Sequence, residues 1–168
     1  LSGGYVRDKD AVDGSMLICE MASYYKEKGM TLVDAMNALY EKYGYYKDAV
    51  KSIGLSGIEG LAKIQAIMEN LRQNTPTEVG GYKVLSARDY KLDTVRNMET
   101  GEVKPTGLPA SNVLYYDKND GAWIRVRPSA TQPKIKFYYG IKGGSLEDAE
   151  AKAAALGEAV MAMVDQML

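Results

Sequence analysis

The stretch Arg127-Pro128-Ser129-Ala130-Thr131-Gln132-Pro133 lies between two runs that alternate in polarity. Upstream, Ala122, Ile124 and Val126 fall on one side while Trp123, Arg125 and Arg127 fall on the other; downstream, Ile135, Phe137 and Tyr139 alternate with Lys134, Lys136 and Tyr138. A period of two is that of a half-buried strand, so the seven residues read as the tip of a β-hairpin. Both strands bring cations to that tip. Arg127 offers a planar fork of donors, Ser129 and Thr131 offer short hydroxyls, and two prolines stiffen a loop whose backbone N–H groups can converge on an anion. An ordinary proline-bounded turn has the same loop composition. The flanking Arg125, Lys134 and Lys136 favour a phosphate cradle.

Outside this hairpin the composition mainly excludes. With 168 residues, 46% of them hydrophobic and 26% charged, the chain has enough apolar material for one good core or two small ones. A net charge of -1 leaves no basic surplus to drive non-specific nucleic-acid binding, so anion recognition must come from a local cluster. Histidine is absent, which removes Ser-His and Cys-His nucleophile pairs and imidazole zinc sites. Cys19 is the sole cysteine; it has no disulfide partner and reads as a small hydrophobe inside a helix. Neither a signal peptide nor an apolar run of membrane-spanning length is present, and a reducing cytoplasm is the expected location. The chain begins at Leu1 rather than methionine and enters a helix almost at once, so it reads as the carboxy-terminal part of something longer.

Taken from the start, Asp8, Asp10 and Asp13 suggest a calcium loop, but Val12 occupies the third side-chain ligand position and no closing glutamate follows. Acidic residues at a helix amino terminus are the simpler reading. A first helix is predicted over 10–28, with Leu17, Ile18, Met21, Ala22 and Tyr25 as its apolar stripe, and a second from a Thr31/Asp34 capping box to Gly44, with Ala35, Ala38 and Leu39 inward. Together they make a hairpin with little core of its own, the tail of a preceding domain. From Tyr45 the pattern changes: a strand over 45–55, a helix capped by Ser56 and Glu59 and carrying Leu61, Ile64, Ile67, Met68 and Leu71, and strands at 82–88 and 113–116. A Lys118-Asn119-Asp120-Gly121 turn leads into the Trp123 strand, and a helix capped by Ser145 and Asp148 closes the chain with Leu156, Val160, Met163, Val164 and Met167 on one side. Residues 89–112 read as a long loop. The order is β-α-β-β-β-β-α, an α+β sandwich of one mainly antiparallel sheet of four to five strands with helices on one face.

The seven-residue tip resembles the Arg-Pro-Ser-Gly-Thr-Glu-Pro phosphate-binding loop in the fourth domain of α-D-phosphohexomutases, the phosphoglucomutase and phosphomannomutase family. Five of the seven positions are kept, and Lys134-Ile135-Lys136-Phe137-Tyr138-Tyr139 resembles the strand that follows. Ala130 stands where the family has glycine and Gln132 where it has glutamate. Either that glycine supplies a positive φ, which would strain Ala130, or it lets the phosphate approach closely, in which case the Ala130 methyl narrows the cradle. Tyr5-Val6-Arg7-Asp8-Lys9-Asp10 is similar to the segment after the family's third-domain sugar-binding loop, whose lysine reaches the active site.

The resemblance implies a division at residue 44: residues 1–44 as the helical tail of the sugar-binding third domain, 45–168 as a TATA-binding-protein-like fourth domain that captures phosphate. It implies phosphate contacts from Arg127, Ser129, Ala130, Thr131 and Lys134, with Lys9 and Arg7 as further active-site contacts. Family members move a phosphoryl group between C1 and C6, or equivalent carbons, of a sugar phosphate through a phosphoserine and a bisphosphate intermediate. The serine and the magnesium loop belong to the first and second domains, so Mg2+ and a sugar 1,6-bisphosphate activator are expected in the intact enzyme and neither in this chain. The chain alone is expected to be inactive, its partners being a sugar phosphate and domains 1–3, with no nucleic acid and no membrane. Glucose, mannose and pentose phosphates all remain open as substrates. A stand-alone phosphate or nucleic-acid binding module built on the basic hairpin is the alternative.

Overall fold

The structure, a computed structural model, describes residues 3–4 and 8–167. The chain divides into two compact units that meet between Gly44 and Tyr45.

The first unit holds α1 (Ala11–Glu27) and α2 (Leu32–Tyr43). Local chemistry fixes both starts. The Asp10 carboxylate caps α1 by accepting from the backbone N–H of Val12 at 2.9 Å and of Asp13 at 3.0 Å, so the acidic cluster serves the helix terminus. At α2, Thr31 and Asp34 close a reciprocal capping box, the Thr31 N–H donating to the Asp34 carboxylate at 2.8 Å. Packing is sparse, however. Ala35 is the one buried residue described in this unit, and Leu17, Ile18 and Met21 are 46%, 57% and 44% exposed. Cys19 lies in α1, as read from the sequence, and is exposed as well.

The second unit is an α+β sandwich, built from β1 (Tyr45–Gly54), α3 (Gly57–Gln73), β2 (Glu78–Val79), β3 (Tyr82–Asp89), β4 (Thr94–Asn97), β5 (Val103–Lys104), β6 (Leu114–Lys118), β7 (Trp123–Pro128), β8 (Lys134–Gly143) and α4 (Leu146–Asp165). The sheet runs β1-β8-β7-β6-β3-β4-β5 with every pair antiparallel, and β2 adds to β3. Its five long strands and two helices keep the order read from the sequence. Three short strands were not foreseen. Two of them correct the reading of residues 89–112 as a loop: β4 and β5 form a small hairpin there, too short to show a period. Asp120 and Gly121, at φ 57° and 73°, make the turn between β6 and β7.

One sheet face packs on α3 and α4. Ile124, Val126, Ile135, Phe137, Tyr139 and Ile141 from the central strands meet Ile64, Ile67, Met68 and Leu71 of α3 and Leu156, Val160 and Val164 of α4. Leu61, expected among the α3 core residues, is 54% exposed, and Ser56 sits at the N-cap without a side-chain cap hydrogen bond. A buried ion pair ties the end of α3 to β3: Arg72 Nε donates to Asp89 Oδ2 at 2.9 Å, and Arg72 also donates to the Asn112 side-chain carbonyl. The other sheet face carries the residues that alternate with the core.

Candidate functional site

Strand register sets the hairpin tip. Arg127 stands opposite Lys136 and Pro128 opposite Ile135, so the tip is centred on the five residues from Ser129 to Pro133. The Ser129 N–H donates to the Lys134 carbonyl at 2.8 Å and the Lys134 N–H to the Gln132 carbonyl at 2.8 Å. Pro133 contributes its carbonyl to the Leu55 N–H at 2.9 Å, which moors the loop to the junction of β1 and α3. Two groups of donors stay open. Among the described residues, nothing accepts from the backbone N–H groups of Ala130, Thr131 and Gln132, or from the hydroxyls of Ser129 and Thr131. Successive unpaired N–H groups in a turn held from both sides are the geometry of an anion nest.

Ala130 does not adopt a positive φ; outside glycine only Asp93 and Asp120 do so among the described residues. The strain account of the missing glycine therefore falls. A groove of about 460 Å³ runs between the loop and the first turn of α3, lined by Gly57, Ile58 and Leu61 on one side and residues 129–133 on the other.

The charges at the tip are uncompensated. Arg125, Arg127, Lys134 and Lys136 take part in no ion pair among the described residues. Like charges directly opposite each other destabilise an antiparallel pair, and Arg127 faces Lys136 in this way. Such an arrangement is relieved by a bound anion. A smaller cavity of about 60 Å³ under β3 is lined by Arg72, Arg88 and Arg96 together with Asp89, and two of these arginines are already paired, Arg72 with Asp89 and Arg88 with Asp117.

Four of the five tip residues singled out in the sequence, Arg127, Ser129, Ala130 and Thr131, lie on the loop or its base, and Lys134 opens β8 directly behind it. Lys9 lies in the first unit, fully exposed and 3.2 Å from Asp8, as the spacing alone suggests for a solvated lysine. Arg7 lies outside the described residues.

Sequence reasoning missed the company these cations keep. On the open sheet face the cross-strand row Tyr138, Arg125, Tyr115, Arg88 runs over β8, β7, β6 and β3. The Arg125 guanidinium lies 4.7 Å from the Tyr115 ring and 4.8 Å from the Trp123 ring, those two rings are stacked 6.2 Å apart, and Arg88 lies 4.9 Å from Tyr115. Arg127 donates to the Tyr138 hydroxyl at 3.3 Å. Alternation placed Arg125, Trp123 and Tyr138 on the side of their strands away from the apolar residues, but only the strand order shows that they meet Tyr115 and Arg88.

No family model matches the chain. A phosphoglucomutase from Staphylococcus aureus strain bovine RF122 / ET3-1 is 39% identical over 156 residues, which make up 93% of this chain and 28% of that relative. One from Staphylococcus aureus strain MSSA476 is 38% identical over the same spans. The chain thus covers a little over a quarter of the length of the curated relatives it matches. The crystal structure of pp63/parafusin from Paramecium, a phosphoglucomutase in its open form, superposes at a TM-score of 0.54 with 14% identity, covering 97% of this chain and 27% of that one, and so supports the fold. The chain is thus similar to phosphoglucomutases over nearly its whole length and over 28% of theirs, in keeping with the resemblance carried by the hairpin tip.

Proposed function

We propose that the β7–β8 hairpin docks the phosphate group of a sugar phosphate in a phosphoglucomutase-type reaction, and that this chain positions substrate without transferring the phosphoryl group. The observation that carries the reading is the tip itself: three unpaired backbone N–H groups and two free hydroxyls on a loop held by its own hydrogen bonds, with four uncompensated cations on the two strands that flank it. A dianion seated there accepts a bidentate fork from Arg127, hydroxyl hydrogen bonds from Ser129 and Thr131, and longer-range attraction from Lys134. Ala130 contributes its N–H. Lys9 and Arg7 are proposed as contacts to the remainder of the sugar phosphate in the whole enzyme.

In the whole enzyme the phosphoryl group moves between C1 and C6, or C1 and C5, through a phosphoserine and a bisphosphate intermediate. Magnesium there would neutralise charge on the transferring group. The described residues offer no cluster of His, Cys, Asp or Glu side chains that could hold a metal ion, so they do not fit that role. The part assigned to this chain is entropic: a phosphate fixed at one end limits the orientations available to the reacting end.

Glucose 6-phosphate titrated into the chain and followed by amide shifts tests the reading. Perturbations should centre on residues 129–132, and Arg127→Ala should abolish them. In the whole enzyme the same substitution should cost roughly 2–4 kcal/mol of transition-state binding. With magnesium and glucose 1,6-bisphosphate, the chain by itself should show no mutase turnover. A shallow salt dependence marks a single sugar phosphate, whereas a steep one would favour polyanion binding on the Tyr115, Trp123 and Arg125 face.

A further inference from the structure

We propose that Tyr138 is a positioning residue for Arg127, holding the guanidinium in the orientation in which it receives phosphate; the inference rests on the reading of the hairpin tip as a phosphate cradle. Arg127 is an exposed side chain at the base of the loop, with no carboxylate to fix it. A free arginine of this kind samples many rotamers, and a ligand that immobilises it loses affinity by that amount. Tyr138 limits the sampling in two ways. Its hydroxyl accepts from one terminal nitrogen of Arg127 at 3.3 Å, and its ring lies 5.6 Å from the guanidinium carbon, within cation–π range.

The contact leaves the ligand-facing capacity intact. A guanidinium has five N–H donors in a fixed fork, and the Tyr138 bond engages one nitrogen. Lys136, directly across from Arg127, repels it, and Tyr138 is the neighbour on the same face of β8 that can receive it. Tyr138 is itself placed by register, opposite Arg125 in the row that continues through Tyr115 and Arg88. The phenol senses these neighbours: the hydrogen bond from Arg127 holds its pKa below the ordinary range, with Lys136 adding to the effect.

The test titrates inorganic phosphate and glucose 6-phosphate into the unmodified chain, Tyr138→Phe and Tyr138→Leu, with loop amide shifts as the readout. Tyr138→Leu should weaken both ligands about three- to tenfold and Tyr138→Phe, which keeps the ring, about twofold. Melting temperature should hardly change, since the side chain lies on the open face. In an Arg127→Lys background the Tyr138→Leu loss should shrink below about twofold, because the partner it orients has gone. Without any ligand, Arg127→Gln should raise the Tyr138 phenol midpoint in a pH titration. Unchanged affinity in Tyr138→Leu, or an equal loss with Arg127→Lys, overturns the positioning role while leaving the cradle intact. Failure of the unmodified chain to bind either ligand overturns both.

Discussion

Phe137 and Tyr138 are neighbours in β8 and live in different media. Phe137 is 0% exposed among α3, α4 and the central strands, whereas Tyr138 stands over a solvent-open face beside Arg125 and Arg127. Every central strand divides its residues this way. One face is dry and almost wholly apolar, so it holds the fold by burial; the other concentrates guanidinium groups and aromatic rings, and leads to a loop with unpaired donors. A period of two thus lets stability and recognition be altered separately, because a substitution on one face changes few contacts of the other.

The largest effect should come from the dry face. Phe137→Ala is expected to cost about 3–5 kcal/mol by urea denaturation, the transfer term plus the cavity left behind. Tyr138→Ala next to it should cost about 1 kcal/mol or less. Equal losses at the two positions would end the division of labour between the faces.

How far this division was legible in the sequence follows from what each signal depends on. Alternation around residues 122–139 revealed both strands and both faces, since the period of two is written locally. The capping residues Thr31 and Ser145 announced their helices for the same reason. Ser56 announced α3 correctly, but its side chain does not cap it, because the hydrogen bond depends on a rotamer that spacing does not fix. The β4–β5 hairpin escaped notice since strands of four and two residues carry no period. The Tyr115–Trp123 stack and the Arg127–Tyr138 contact depend on which strands are neighbours and in what register, information that no single segment contains. The first unit shows the converse: its helices were read correctly, yet burial did not follow, for helical stripes predict a face and not its partner.

The buried charged residues described are Asp89, which is paired with Arg72, and Lys118, which has no carboxylate partner and can sharpen the comparison. Lys118 is 3% exposed and donates to the Val79 carbonyl; burial lowers its pKa from 10.5 to about 8. The unfolded chain therefore holds that proton more tightly than the folded one. The resulting destabilisation is fully present below about pH 8 and fades as pH rises toward 10.5. Measured against Lys118→Met, the unmodified chain should gain stability across this window, by at most about 3.5 kcal/mol at about 1.4 kcal/mol per pKa unit. A stability difference that stays flat from pH 7.5 to pH 10.5, on the order of one pH step at a time, would mean that the lysine is charged and well solvated in the fold.

On the open face Gly140 lies closely between Asp48 and the Trp123 indole. A Cβ added there would stand 2.5 Å from both Asp48 Oδ1 and Trp123 Cε2. Gly140→Ala should displace the indole from Tyr115 and Arg125 and cost about 1–3 kcal/mol. Loss of the Trp123 fluorescence signature of stacking, with phosphate binding retained, would show that the aromatic row supports the sheet more than the loop. A variant as stable as the parent with unchanged fluorescence would show that the indole moves freely and that the row is not rigid.

The smallest effect is expected at Ala130. Its backbone is not left-handed, so restoring glycine relieves no strain and only adds freedom to the unfolded chain. Ala130→Gly should therefore leave stability unchanged or lower it by about 0.4–1 kcal/mol. Binding should move the other way. Removing the methyl lets a phosphate come closer to the open N–H groups of residues 130–132, where a charge-assisted hydrogen bond shortens and strengthens. Gln132 bears on the size of the change: it carries no charge to repel a dianion, so the parent loop already tolerates a slightly longer approach. Calorimetric titration with glucose 6-phosphate alongside thermal melting separates the terms. Tighter binding with equal or lower melting temperature fits close approach as the use of glycine at this position; a higher melting temperature with unaltered affinity would place the effect in the scaffold and remove Ala130 from the cradle.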